Sequence, residues 1–272
     1  MSAEAVDYDP LKAVLGRWVS RSVFMRRLFY TFLGMFFLRQ WHVRKELKRI
    51  ARAHKIRDIF DAGSGYGQYT YLMGKVFPGA RIHAVDVKDE QIADGNWFTE
   101  RVRQKNTHFE VGDLTTFVKP DSFDLALSVD VMEHILEDEA VYRNVFASLR
   151  SGGVFVISTP TSLRPESHQD VDSVIGEHVR VGYTREEFTE KMKRAGFVIE
   201  RMKSTYCRPF GVMAWMILQR IPMRLLSLSR WLAVIVIPWL IVLYLPAALC
   251  MFLDVNLPCR WGGGWLLTVR KS

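Results

Sequence analysis

The 272 residues are 49% hydrophobic and carry 37 Lys and Arg against 29 Asp and Glu, a net charge of +8. That much apolar material supplies a real core, so a disordered chain is not expected. The three cysteines, Cys207, Cys250 and Cys259, form no CxxC pair and no metal-ligand spacing. Neither a zinc site nor a disulfide framework is therefore expected, and a reducing cytoplasm is the expected surrounding.

The positive charge is concentrated near the start. Residues 11–53 hold eleven bases (Lys12, Arg17, Arg21, Arg26, Arg27, Arg39, Arg44, Lys45, Lys48, Arg49, Arg52) and one acid, Glu46. Met1 to Pro10 is acidic and polar and lacks the pattern of a cleaved signal, so the catalytic part is expected to stay in the cytoplasm. Leu28 to Leu38 is uncharged and apolar, but eleven residues fall short of the roughly 20 that cross a bilayer as helix. Two readings stay open: a helix lying in the membrane interface with its bases among headgroups, or a helical layer packed on the domain. Trp41 to Ala53 reads as an amphipathic helix leading into the first strand.

From Ile56 to Thr159 short apolar runs alternate with helix-length segments, the rhythm of a parallel sheet with crossover helices. The pattern predicts strands over 57–62, 80–86, 107–111, 122–129 and 152–159, and helices over 67–77, 89–104 and 134–149. Thr184, with Glu187 three residues on, predicts a capped helix over 185–195, and a strand follows over 197–206. Trp231 to Leu253 is a run of 23 uncharged residues preceded by Arg220, Arg224 and Arg230, long enough for a membrane span. Pro238 and Pro246 interrupt it, which leaves a re-entrant hairpin or a kinked helix in one leaflet open, with a buried core helix as the plain alternative. Gly262 to Lys271 predicts a last strand. Its return to the sheet favours a monotopic insertion or a helical hairpin whose amphipathic first arm is Phe210 to Leu228. The expected division is a basic helical region over 1–55, a catalytic domain over 56–206 plus 262–272, and an apolar insertion over 207–261.

Chemistry is concentrated at strand ends. Asp61-Ala62-Gly63-Ser64-Gly65-Tyr66-Gly67 is a glycine turn between a strand and a helix, where backbone N–H groups can meet a ligand. About 20 residues on, Asp86 ends the next strand, placed to accept the hydroxyls of a ribose. Gly112-Asp113 follows the third strand and Asp130 the fourth. In an open parallel sheet all four carboxyl ends line one crevice.

With these motifs the sequence resembles the class I S-adenosylmethionine (SAM) dependent methyltransferases, particularly the group that includes the ubiquinone and menaquinone methyltransferases. The resemblance covers 57–206 plus 262–272 and implies a Rossmann-like α/β fold with a seven-stranded sheet. It implies SAM contacts at Asp61, Gly63, Ser64, Gly65, Tyr66, Gly67, Gln68, Asp86, Val87, Gly112, Asp113, Leu114 and Asp130, with Tyr69 bordering them. Asp130-Val131-Met132-Glu133-His134 resembles the family's motif after strand four. Some quinone-pathway relatives hold a divalent metal with an acid, a Glu and a His there. Because others carry the same residues without one, no metal is expected.

For an acceptor hydroxyl, His134 or His178 is the candidate base; each is equally a residue that only shapes its loop. The stretch from Thr159 to Tyr183 is the candidate substrate lid. A nicotinamide-dependent reductase fits less well, since Gln68 stands where a third glycine would close Gly-x-Gly-x-x-Gly. Nucleic acid is not an expected partner, because the N-terminal bases are interleaved with Phe, Leu and Met. The expected partners are a membrane surface and a small, lipophilic acceptor such as a quinone precursor, polyprenoid or other lipid. An enzyme anchored only for localisation, or a non-catalytic scaffold with this fold, are the alternatives.

Overall fold

The computed structural model describes residues 22–162 and 179–272. His168, His178, most of the candidate lid and the bases Lys12, Arg17 and Arg21 lie outside the described residues. Two helices, α1 (Val23–Phe36) and α2 (Leu38–Ala53), precede the sheet. Then come β1 (Asp58–Ala62), α3 (Gln68–Val76), β2 (Arg81–Asp86), α4 (Asp89–Arg101), β3 (Thr107–Val111), β4 (Phe123–Val129), α5 (Asp138–Ser148) and β5 (Leu149–Pro160). The chain closes with α6 (Arg185–Arg194), β6 (Phe197–Cys207), α7 (Phe210–Trp215), α8 (Ile221–Leu228), α9 (Ala233–Asn256) and β7 (Gly262–Lys271).

The seven strands form one sheet in the order β3-β2-β1-β4-β5-β7-β6. β1 to β5 run parallel, and β7 lies antiparallel between β5 and β6. Successive strand residues face opposite sides, and the core divides accordingly. Phe60, Ala126, Phe155 and Ile157 pack with Tyr142 of α5 and Phe188 of α6 on one face. Ile59, Leu125, Val154 and Val156 pack on the other with Val43, Leu47 and Ile50 of α2. α2 is thus a structural layer of the domain. Its buried Glu46 accepts from Thr268 Oγ1 of β7 at 2.7 Å and from Arg49 at 2.7 Å.

The predicted helix over 134–149 is shorter than expected. Met132–His134 makes a single 3-10 turn, and the helix proper starts at Asp138. The Asp138 carboxylate is drawn inward by Tyr183 Oη (2.6 Å), Lys191 Nζ (2.9 Å) and Arg180 Nη1 (3.1 Å), and these tertiary bonds set where the helix begins.

The insertion leaves β6 and re-enters at β7 side by side, with Cys207 opposite Gly262 in the register. It is a helical hairpin: α7 and α8, joined by a π-turn over Met216–Arg220, form one arm and α9 the other. The half of α9 nearest the sheet packs Ala247, Met251 and Val255 against Leu38 of α2 and Ala214 of α7. Along the other half one side is bare, with Val234 74% and Leu245 76% exposed, while Val236 is buried. Only 11% of its apolar window is buried, so the plain alternative of a core helix is excluded. Both Pro238 and Pro246 lie inside the continuous helix.

One expectation is overturned at the hairpin neck. Cys207 and Cys259 form a disulfide, with Cα atoms 6.2 Å apart and a sequence separation of 52. Short-range cysteine spacing carried no sign of it, because the pairing of β6 with β7 brings the two together. A disulfide suits an oxidising compartment, which counts against the expected reducing one. Cys250 is buried and unpaired.

Candidate functional site

The site grows from the carboxyl end of β1. Gly63 and Ser64 both donate to the Val85 carbonyl, at 2.9 and 3.0 Å, which folds the turn back over β2. Gly63, Gly65 and Gly67 all have positive φ, at 87°, 50° and 75°. At Gly63 there is a second demand, since an added Cβ would lie 2.3 Å from Val131 Cγ2. At Gly65 an added Cβ would meet only Gln91 Oε1, at 3.8 Å, so the turn opens there onto the crevice. Gln68 begins α3 immediately after Gly67.

Asp61 is buried and accepts a short hydrogen bond from Thr70 Oγ1 of α3. Burial pushes its carboxyl up to about 7; the Thr70 hydroxyl pulls it down and the Asp86 charge pushes it up again. Asp86, at the tip of β2, accepts from Gly65 N–H at 2.8 Å and from Lys88 N–H at 3.2 Å. A carboxylate offers about four lone-pair sites, so Asp86 keeps acceptor capacity for a ribose while holding the turn in shape. Val87 beside it is 61% exposed. Gly112 N–H bonds the Asp86 carbonyl at 3.0 Å, joining the third strand tip to the second. Asp113 turns its carboxylate to Thr115, and Leu114 is buried beneath.

Asp130 has φ 55° and donates its N–H to Ser158 at 2.9 Å. Its carboxylate forms an ion pair with Arg39 of α2. Glu133 is buried and accepts from Thr159 Oγ1 at 3.1 Å, while His134 sits half-buried in the 3-10 turn next to Val131. Asp130 and Glu133 are thus engaged with separate partners. The structure brings Asp61, the glycine turn, Asp86, Gly112, Asp113 and Asp130 to one end of the sheet.

The helices before β1 add site residues that the sequence reading did not assign to the site. Tyr30 Oη donates to the Tyr66 carbonyl at 2.6 Å, and Arg26 Nη2 to the same carbonyl at 3.3 Å. Arg26 is fully buried and ion-paired with Asp94 of α4. Arg39 lies over the Tyr206 ring at 5.8 Å. Arg26, Tyr30 and Leu33 are the buried residues of α1, spaced as one helical face; that spacing was present inside a stretch whose apolarity left lipid and protein both open as its neighbour.

The profile of the family described as a methyltransferase domain matches residues 54–202. The chain belongs to that family. It is 29% identical over 167 residues to a probable S-adenosylmethionine-dependent methyltransferase of Mycolicibacterium smegmatis, covering 59% of this chain and 60% of that one. It is 27% identical over 120 residues to the trans-aconitate 2-methyltransferase of Variovorax paradoxus, covering 44% of each. The chain thus spans 60% and 44% of the length of these relatives, less than two thirds of either. Its fold matches that of an O-methyltransferase from a trans-AT PKS multienzyme of Brevibacillus brevis, solved with S-adenosyl-L-homocysteine. That match has a TM-score of 0.58 at 13% identity and covers 100% of this chain and 85% of the other.

SAM is the cofactor of this methyltransferase family, and the residues present fit it. Ser64 Oγ is buried in the turn without a hydrogen-bond partner, a polar atom that a ligand against the turn would satisfy. Gly63 and Gly65 let the backbone come close, and Asp86 retains lone pairs.

Proposed function

We propose that this chain transfers a methyl group from SAM to a small lipophilic acceptor at a membrane surface. The observation that carries this reading is the joint position of α1. One face of α1 holds the glycine turn through Arg26 and Tyr30, while Phe24, Leu28 and Phe32 on the other are exposed, Phe24 by 72%. Phe36 at its end packs on Tyr244 of α9, with ring centroids 5.3 Å apart. The two helices thus meet at this ring contact, and Arg27, Arg220, Arg224 and Arg230, near them in the chain, are exposed, which suits lipid headgroups.

Bound SAM supplies an electrophilic methyl on a sulfonium. The protein's part is to hold the acceptor in line with it and exclude water. The glycine turn and Asp86 fix the donor, and Asp61, once ionised, favours its positive charge. His134, beside the crevice, is the proposed base for a hydroxyl acceptor; His178 lies outside the described residues and remains the alternative base. The hairpin is read as monotopic, because β7 must return to the sheet on the side that β6 left.

A second reading has one observation behind it. Arg39 sits at the fourth strand tip, where it suits an acceptor with a carboxylate, and one relative is named for trans-aconitate. The test is radiolabelled methyl transfer by detergent-purified protein to a lipid extract and to a panel of small carboxylic acids, with calorimetric SAM binding by wild type and Asp86→Ala alongside. Label in the lipid fraction, and flotation with anionic vesicles that Ile241→Glu/Leu245→Glu loses, are expected. Label only in the acids selects the second reading. Folded protein that binds no SAM overturns both.

A further inference from the structure

We propose that His83, His108 and Glu110 form a transition-metal site of the zinc class on the edge of the sheet, separate from the SAM crevice. His83 and His108 are partners in the parallel register of β2 and β3. Glu110 stands two residues beyond His108 and so shares its face. One ligand atom from each residue lies within 4.8 Å of the other two, and among the described residues this is the one such His, Cys and acid group. Two imidazoles and a carboxylate, with a fourth position open, are a donor set that zinc and cobalt accept.

The cluster is already arranged around a cation. His83 Nε2 lies 2.7 Å from Glu110 Oε2, the distance of an imidazole N–H donating to a carboxylate, so two of the three ligand atoms already face one another. A cation already sits against both: Lys119 Nζ is 3.0 Å from Glu110 Oε2 and 3.1 Å from His83 Nε2. The Lys119 side chain is 41% exposed, so it can swing into water when a divalent ion takes its place. Phe117 stacks on the His83 ring at 5.7 Å and fixes its orientation. His108 is exposed on the edge strand and Glu110 half-exposed, so both can close the last ångström to tetrahedral spacing. A cleft of about 460 Å³, lined also by Lys105, Asn106 and Thr107, gives an ion access from solvent.

The site lies three residues before Asp86 on β2, about 10 Å along the strand at 3.3 Å per residue. It belongs to no step of methyl transfer. A bound ion would tie together the two strands whose tips carry Asp86 and Gly112.

The test is Co²⁺ and Zn²⁺ titration of untagged, detergent-purified full-length protein, followed by the visible spectrum of Co²⁺ and by calorimetry. One Co²⁺ per chain with the spectrum of a low-coordinate N/O centre is expected. His108→Ala should weaken it by about tenfold or more, with melting and SAM affinity in metal-free buffer retained because the side chain is exposed. Lys119→Met, which removes the competing ammonium, should bind more tightly than wild type. Absence of uptake by both wild type and Lys119→Met, or uptake indifferent to His108→Ala, overturns the proposal.

Discussion

The Tyr30 hydroxyl donates to the Tyr66 carbonyl at 2.6 Å while accepting from Arg26 Nε at 2.9 Å. Burial pushes the phenol up to about 12 against the pull of Arg26, so it remains a donor at neutral pH. One helix turn thereby links an exposed apolar face to the backbone of the glycine turn.

Tyr30→Phe removes that single bond and is expected to cost about 1 kcal/mol, read as roughly fivefold weaker SAM binding by calorimetry. Arg26→Met leaves the Asp94 carboxylate without its partner and is expected to cost about 3–5 kcal/mol of stability, read from thermal melts. SAM affinity unchanged in Tyr30→Phe would show that the link has no bearing on the cofactor.

SAM affinity should depend on pH through Asp61. Its folded value of about 7 stands above the unfolded carboxylate value of about 3.9. The folded protein therefore keeps a proton that the unfolded chain has released, and stability falls as pH rises between about 4 and 7. A cationic ligand prefers the ionised form, so affinity moves the opposite way. Calorimetry at about pH 6 and pH 8 should show roughly tenfold tighter binding at the higher pH. Asp61→Asn should bind weakly at both, with that step gone; an equal step in the variant would assign the titration to another group.

Gly63→Ala meets both a φ of 87° and Val131 Cγ2 at 2.3 Å, whereas Gly79→Ala meets a φ of 89° with nothing within 4 Å. The two isolate sterics from backbone strain. Gly79→Ala is expected to cost about 1 kcal/mol and Gly63→Ala about 1–3 kcal/mol more, with part of the difference recovered on adding Val131→Ala. Equal melting temperatures for the two single variants would contradict the close packing of the turn on Val131.

The Cys207–Cys259 bond closes the neck of a long insertion. Cys259→Ser, or reductant acting on wild type, is expected to remove about 2–4 kcal/mol, and the variant should be indifferent to reductant. Thiol labelling of unreduced, unfolded protein at one cysteine rather than three is the complementary measurement.

The sequence by itself determined the elements with strong periodicity and the residues that chemistry demands at strand ends. Every strand from β1 to β7 falls within a few residues of its expected place, because alternation on a two-sided sheet is written locally in runs such as Phe123 to Val129. The glycine turn, Asp86 and Gly112 were legible for the same reason: each is needed by backbone geometry at one position.

Tertiary structure alone decided the relations between distant segments. The pairing of β6 with β7 makes the Cys207–Cys259 bond, Asp254 receives both His42 Nε2 and the Cys207 N–H at 2.7 Å, and Arg39 reaches Asp130 across 91 residues. Apolar composition could not distinguish lipid from protein as the neighbour of α1, since both remove the same surface from water. Only the packed fold shows that Arg26, Tyr30 and Leu33 turn inward while Phe24, Leu28 and Phe32 do not.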